Sequence, residues 1–227
     1  MALPRLCPEI LTLPVDAPVD YEWNDWDALA YFDYADTDLF ARLERLTGKA
    51  NIALALAVCE WILRRFAGIE PLEDASEYVE AGWAALLDPE YSGWIELDYE
   101  DNPGPVLRPQ VIVMGIVNDA FYENDDDPEM AWRPCYAVNL ARYVLPDGTA
   151  FEDWLESGIS RLERFHTWEI EGHGDDLFAE EIYQGRPVAR EIFDATFPYR
   201  PEEAEMLLHR LIGQIDPGNE FLNLPGA

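Results

Sequence analysis

The chain has 227 residues, and its 46 acidic side chains against 15 Lys and Arg leave a formal net charge of −31 at pH 7. Such a surface repels phosphate backbones and anionic lipid headgroups, so the composition argues against nucleic-acid and membrane partners. A hydrophobic content of 49%, with 13% aromatic residues, suffices for a packed core at this length and argues against disorder.

The N-terminal stretch, residues 1–24, is predicted to be extended and without a secretion signal, because prolines interrupt its apolar residues at positions 4, 8, 14 and 18. The most apolar run, Ile52 to Cys59, is far shorter than the roughly 20 residues of a membrane span. The widely spaced Cys7, Cys59 and Cys135 fit neither a disulfide framework nor a zinc knuckle, so we expect buried, reduced thiols. These features predict a cytoplasmic protein.

Helical periodicity dominates the rest of the chain. The segment Ala50 to Ala67 is apolar on nearly every face, which predicts a central helix, with Glu60 and Arg64 as an ion pair one turn apart. Thr149 and Glu152 have the spacing of a capping box at the start of another helix. The remaining predicted helices cover residues 26–35, 39–46, 75–87, 128–144, 151–165, 176–183, 187–196 and 204–215, the last entered through Pro201.

The β-branched run Val111 to Val117 is compatible with a buried strand or a helix. No second alternating segment of similar length offers it a partner, and its apolar character continues to Tyr122, so we predict a helix. The fold class is therefore all-α. We expect one domain, residues 1–227, of about eight or nine packed antiparallel helices, arranged either as a bundle or as a curved, solenoid-like stack.

An acidic strip, residues 94–101, alternates acids with apolar or aromatic side chains within a stretch of eleven acids that has no Lys or Arg. Its aromatic residues could anchor a partner, and its carboxylates could bind arginine and steer association. The alternative is a solvated loop whose aromatic residues tuck into the domain. The predicted partner-binding residues here are Trp94, Glu96, Asp98, Tyr99, Glu100 and Asp101.

Two further acidic segments stand out. In the run Asp125, Asp126 and Asp127, the last can cap the helix that follows, and the other two have no structural explanation. All three are predicted to bind the partner, and the alternative is capping with ordinary solvation. The run lacks a calcium-loop pattern. The segment Asp16 to Asp38 carries eight acids and six aromatic residues. Core packing is expected for most of these aromatics, with Trp26 and Leu29 facing inward.

No motif assigns an enzymatic activity. His166 and His173 flank Glu169, but the spacing is not that of a His-Glu-x-x-His zinc site, and no phosphate loop or nucleophile elbow is present. We therefore predict no metal, no cofactor and no catalytic residue. A pair of carboxylates that meets only in the folded chain remains possible in so acidic a protein.

In charge, size and helix content, the chain with its acidic strip and Asp125–Asp127 run resembles the helical immunity proteins of bacterial polymorphic and type VI-secreted toxins. The resemblance implies a cytoplasmic protein that occludes the active cleft of a basic, secreted toxin domain. The alternatives are a carboxylate-dependent hydrolase, a DNA-mimicking regulator, and the general acidity of a halophilic background. The oligomeric state is not predicted.

Overall fold

A computed structural model describes residues 7–93, 95–97, 99, 101–122, 128–171 and 185–224. Helices account for its regular structure, and the described residues form no β-strand, only two isolated bridges, so the all-α prediction is confirmed. The α-helices are α1 (Pro8–Leu11), α2 (Thr37–Leu43), α3 (Gly48–Phe66), α4 (Ala75–Ala85), α5 (Gly104–Tyr122), α6 (Trp132–Val144), α7 (Phe151–Phe165), α8 (Trp168–Glu171) and α9 (Ala204–Ile212). Short 3-10 turns cover Asp25–Tyr31, Pro89–Tyr91, Pro128–Ala131, Arg190–Phe193 and Pro201–Glu203.

Helix α3 is the centre of the fold, as its all-round apolar sequence predicts. Seventeen of its 19 residues are buried. It packs against α1, α4, α5, α6 and α7, which come from both sides of it in the sequence. A solenoid repeat contacts only its chain neighbours, so this packing is that of a bundle around a central helix rather than of a solenoid-like stack.

Helix α5 forms one wall of the candidate site, and its first turns are shaped by glycine and proline. Gly104 has a φ of 86°, a conformation that favours glycine, and its N–H donates to the Asp25 carboxylate at 3.0 and 3.1 Å. Pro109 has no N–H to offer the carbonyl of Pro105, and that carbonyl instead accepts the Tyr21 hydroxyl. The N-terminal segment is thereby attached to α5.

Several local predictions were wrong at the ends of elements. The helix predicted over residues 26–35 is the short turn Asp25–Tyr31, because Asp27 at φ −131° interrupts it. The helix over 187–196 shrinks to Arg190–Phe193, and a short α1 lies in the stretch predicted to be extended. No capping box forms before α7, where the N-cap is Ala150 without a side-chain bond. The helix predicted at 176–183 lies outside the described residues.

The predicted Glu60–Arg64 pair is also wrong, because the Glu60 carboxylate is bound by Arg190. The cysteine prediction is confirmed, since all three are free and buried. Within the described residues, no helix combines the length and the apolar character needed to cross a membrane.

Candidate functional site

Three described residues of the acidic strip, Ile95, Leu97 and Tyr99, contact helix α5. The Asn118 side chain forms two hydrogen bonds with the backbone of Ile95, each 3.3 Å long. Its amide oxygen accepts from the Ile95 N–H, and its amide nitrogen donates to the Ile95 carbonyl. Ile95 and Leu97 pack against the core, whereas Glu96 is exposed. The alternation in the sequence thus becomes an apolar inner face and an acidic outer face at these positions.

Tyr99 joins the strip to the helix beneath it. Its hydroxyl lies over Gly115 of α5, where a Cβ atom would overlap it, and its side chain remains 41% exposed. Asp101 is exposed two residues later. Tyr99 is therefore partly tucked in and partly available to a partner. The other predicted binding residues of the strip, Trp94, Asp98 and Glu100, lie outside the described residues.

A cleft of about 340 Å³ opens beside Tyr99, between the turn Asp25–Tyr31 and helices α5 and α6. The apolar part of its lining comes from Leu29, Phe32, Ile112 and Ile116. Two tyrosine side chains, Tyr99 and Tyr136, also line it. Tyr136 stacks on Trp132, with an interplanar angle of 17° and ring centroids 6.1 Å apart.

Four charged side chains, Asp33, Asp119, Arg108 and Arg133, also line the cleft. Arg108 is 14% exposed, and its Nε donates to the Asn102 carbonyl at 3.0 Å. The Asp119 side chain is 42% exposed, and its carboxylate is 3.8 Å from Nη1 of Arg133, beyond hydrogen-bonding distance. The carboxylates of the cleft are thus more accessible than its guanidinium groups.

Burial dominates the electrostatics of Asp119. Loss of solvation raises the pKa of its carboxyl group, and the nearby Arg133 opposes this effect. Burial and the charge of Asp119 likewise raise the pKa of Tyr99, with Arg108 opposing. Asp33, by contrast, is exposed, and no ion pair within the described part of the chain reaches it.

Trp26 lies on the same turn as Leu29 and is 99% exposed. The prediction that Trp26 and Leu29 face inward is wrong, since Leu29 is also 61% exposed. The turn itself is firmly attached. Asn24 accepts from the Trp26 N–H at 3.1 Å, and the Trp23 ring stacks on Tyr31 with centroids 4.7 Å apart. Trp26 is therefore a solvent-facing side chain on a well-anchored backbone.

Four of the other N-terminal aromatics pack as predicted, namely Tyr21, Trp23, Tyr31 and Phe32, whereas Tyr34 is 48% exposed. The Tyr21 ring meets the Tyr143 ring edge-on, and the Tyr143 hydroxyl donates to the Glu22 carbonyl. Of the eight acids in residues 16–38, six are exposed: Asp16, Asp20, Glu22, Asp27, Asp33 and Asp38. The exposed side of the segment that carries Trp26 is consequently acidic. The run Asp125–Asp127 lies outside the described residues, in the connection between α5 and the turn Pro128–Ala131.

The remaining reactive side chains are poorly placed for chemistry. His166 is buried, with Nε2 3.0 Å from the Tyr199 hydroxyl. Burial raises the pKa of the Cys7 and Cys135 thiols to about 12, which keeps them protonated and poorly nucleophilic. Among the residues the structure describes, no group of three or more His, Cys, Asp or Glu side chains is arranged to hold a metal ion.

Sequence reasoning identified Tyr99 and the acidic strip but missed the cleft. Its charged residues, Asp33, Arg108, Asp119 and Arg133, are scattered over a hundred positions and share no motif. The part of the lining that comes from α5 could have been predicted from the sequence, because its residues share one helix face. They are Arg108, Ile112, Gly115, Ile116 and Asp119, which follow one another at helical spacing.

No protein-family model, curated protein or solved structure matches this chain. Its function has to follow from the geometry of the site itself.

Proposed function

We propose that this protein is an acidic binding protein that neutralises a basic partner, as a cytoplasmic immunity protein that occludes the active cleft of a cognate bacterial toxin. The observation that carries the proposal is Trp26, fully exposed on an anchored turn within an acidic surface. Large aromatic side chains of this kind dominate the energetics of many protein interfaces.

The position of Trp26 supports an interface centred on the cleft. Leu29 on the same turn is exposed and lines the cleft, as does Tyr99 of the acidic strip. The same two segments carry exposed carboxylates, including Glu96, Asp27 and Asp33. An apolar centre with a charged rim is the usual anatomy of a specific interface.

Charge specifies the kind of partner. Two copies of a chain with a net charge of −31 repel each other, which disfavours self-association through this surface. A cationic cleft, such as one that accepts phosphates, is complementary to it. Carboxylates would occupy the positions of substrate anions, and long-range attraction would accelerate encounter at low ionic strength.

The test is co-expression with the product of the adjacent reading frame, which we expect to encode a toxin with a basic C-terminal domain. Expression of that domain alone should arrest growth of a host, and co-expression of this chain should restore it. The purified complex should associate more slowly as salt increases. A neighbouring product that neither binds nor is neutralised, or an association rate insensitive to salt, would contradict the proposal.

A carboxylate-dependent hydrolase is the second candidate, favoured by one observation. Asp119, whose pKa is raised by burial, shares the concave cleft with Asp33, and carboxylates in different environments can act as acid and base. Catalysis would be favoured if the wild type turns over a substrate and if Asp119→Asn and Asp33→Asn each abolish that turnover. Loss of toxin neutralisation by Trp26→Ala, in the absence of any turnover, would favour binding.

A further inference from the structure

We infer that the cleft between the turn Asp25–Tyr31 and helices α5 and α6 receives an arginine side chain of the basic partner. The inference rests on the proposed function and names the group that its central site recognises. Exposed carboxylates, aromatic surface and restricted volume support it independently of one another.

The charges of the cleft lining sum to zero, and it is the greater exposure of the carboxylates that favours a cation. Arg108 is largely buried, lies 3.9 Å from Asp25 and already donates to the Asn102 carbonyl. Asp33 is exposed, and the Asp119 carboxylate is 3.8 Å from Nη1 of Arg133, beyond hydrogen-bonding distance. An incoming donor would therefore find accessible acceptors, whereas an incoming anion would have to compete with the contacts that already hold Arg108.

The aromatic surface favours a guanidinium over an ammonium. A planar guanidinium stacks on tyrosine rings and donates to two carboxylates from its fixed fork, whereas a lysine ammonium is compact and strongly hydrated. Tyr136 offers a ring stacked on Trp132, and Tyr99 lines the same space. The apolar side chains of Ile112 and Ile116 suit the methylene stem of an arginine.

The size of the cleft favours one side chain. Its volume of about 340 Å³ lies at the lower end of the range of about 300–1,000 Å³ for small-molecule pockets. A long single side chain with its ordered water fits such a space. Trp26, exposed outside it, and Leu29, exposed in its lining, would then contact the surface of the partner around the inserted residue.

The experiment is an NMR titration of the intact protein with N-acetylarginine amide, following the Gly115 amide and the Trp26 indole N–H. N-acetyllysine amide has the same charge, and N-acetylcitrulline amide has nearly the same shape without charge. We expect saturable shifts with the arginine compound, at least five-fold weaker binding of the lysine compound, and no saturable shifts with the citrulline compound. Equal binding of arginine and lysine, or shifts spread evenly over the acidic surface, would overturn the inference.

Variants locate the binding. Asp33→Asn with Asp119→Asn should weaken binding of the arginine compound at least ten-fold, while the exposed Asp153→Asn on α7 should leave it unchanged. If the double variant does not fold, Asp33→Asn alone should still weaken binding, because Asp33 is exposed. Unchanged affinity in the cleft variants would refute the assignment.

The inference and the proposed function can fail separately. If the arginine compound does not bind but Trp26→Ala still abolishes toxin neutralisation, the cleft assignment is wrong and the immunity function stands. If the arginine compound binds in the cleft but the neighbouring basic protein is not neutralised, the arginine site stands and the immunity function is wrong.

Discussion

Glu60 and Arg190 form a buried, two-pronged ion pair between α3 and the turn Arg190–Phe193. Nη2 of Arg190 is 2.7 Å from Oε1 of Glu60, and Nε is 3.2 Å from Oε2. The Trp83 indole N–H also donates to Oε1 at 2.7 Å. The side chains are 5% and 9% exposed, so solvent screens the pair very little. The pair fastens the C-terminal part of the chain to the central helix.

Removing one partner of this pair should be strongly destabilising. Arg190→Met leaves a buried carboxylate without a counter-charge, so we expect the free energy of unfolding to fall by about 3–5 kcal/mol. Glu60→Gln should cost a similar amount. The double variant should recover much of the loss, because the glutamine side chain is neutral and its amide oxygen can still accept from Trp83. Urea unfolding of the four proteins measures the coupling.

The control is an exposed ion pair. Arg200 and Glu203 are 3.4 Å apart, with side chains 71% and 40% exposed. Removing Arg200 should change the free energy of unfolding by about 1 kcal/mol at most. A strictly additive cycle for Glu60 and Arg190 would show that the buried pair is not a coupled unit.

The partner of Glu60 could not be predicted from the sequence. Local spacing suggests Arg64 for Glu60, whereas the actual partner lies 130 positions away. The central helix α3 was predictable because a segment that is apolar on every face is buried only when other elements surround it. The cleft was not, because its lining comes from three separate stretches, residues 28–33, 99–119 and 133–136, that only tertiary packing brings together.

The tryptophans show the same limit at short range. Trp23 and Trp26 are three positions apart and equally apolar, yet Trp23 packs against Tyr31 while Trp26 is fully exposed. A regular helix would place them on one face. Asn24 lies between them with an extended backbone, at φ −130° and ψ 107°, so Trp23 precedes the turn while Trp26 belongs to it.

Gly115→Ala should move Tyr99 without unfolding the protein. A methyl group at this position overlaps the Tyr99 hydroxyl, which is the far end of a partly exposed side chain and can swing away. We expect the helix-propensity gain of about 0.5–1 kcal/mol to be offset by lost Tyr99 packing, so the free energy of unfolding changes little. Hydrogen exchange over residues 95–101 should increase as the strip loosens.

Gly158→Ala is the matched comparison, because a Cβ there would be 2.9 Å from the ring of buried Phe193. That ring cannot swing into solvent, so we expect a loss of about 1–3 kcal/mol in the free energy of unfolding. Equal effects of the two substitutions on the free energy of unfolding would contradict the packing of Tyr99 over Gly115. Unchanged hydrogen exchange over residues 95–101 in Gly115→Ala would contradict it as well.

Asp119 predicts a pH dependence with a definite sign. Its folded-state pKa is raised above the ordinary value of 3.8, so the folded protein holds this proton more tightly than the unfolded chain does. Its contribution to the free energy of unfolding therefore falls as pH rises from 3.8 through the raised pKa. Asp119→Asn removes that dependence and should gain stability relative to the wild type across this window. Urea unfolding of both proteins at several pH values measures the difference, and a wild-type advantage that grows with pH would mean that Arg133 dominates.

Salt should stabilise the folded protein while weakening its association. The Debye length falls from about 10 Å at 0.1 M to about 3 Å at 1 M, so repulsion within a chain of net charge −31 is largely screened in this range. Urea midpoints measured with increasing sodium chloride should rise and then level off. A protein that unfolds without molar salt would instead fit a halophilic background, and a falling midpoint would show that the surface arginine clamps, such as Arg42 with Glu156 and Glu163, outweigh the repulsion.

Trp26→Ala should separate binding from folding. Its side chain is fully exposed, so the free energy of unfolding should change by no more than about 0.5 kcal/mol. An interface hot spot costs about 2 kcal/mol or more when truncated, which is roughly a 30-fold increase in the Kd of the toxin complex. Met206→Ala, at a 50% exposed position on α9, is the control and should leave the Kd unchanged. Calorimetric titration of the wild type and both variants measures the Kd. Equal affinities of Trp26→Ala and the wild type would show that Trp26 is not part of the interface.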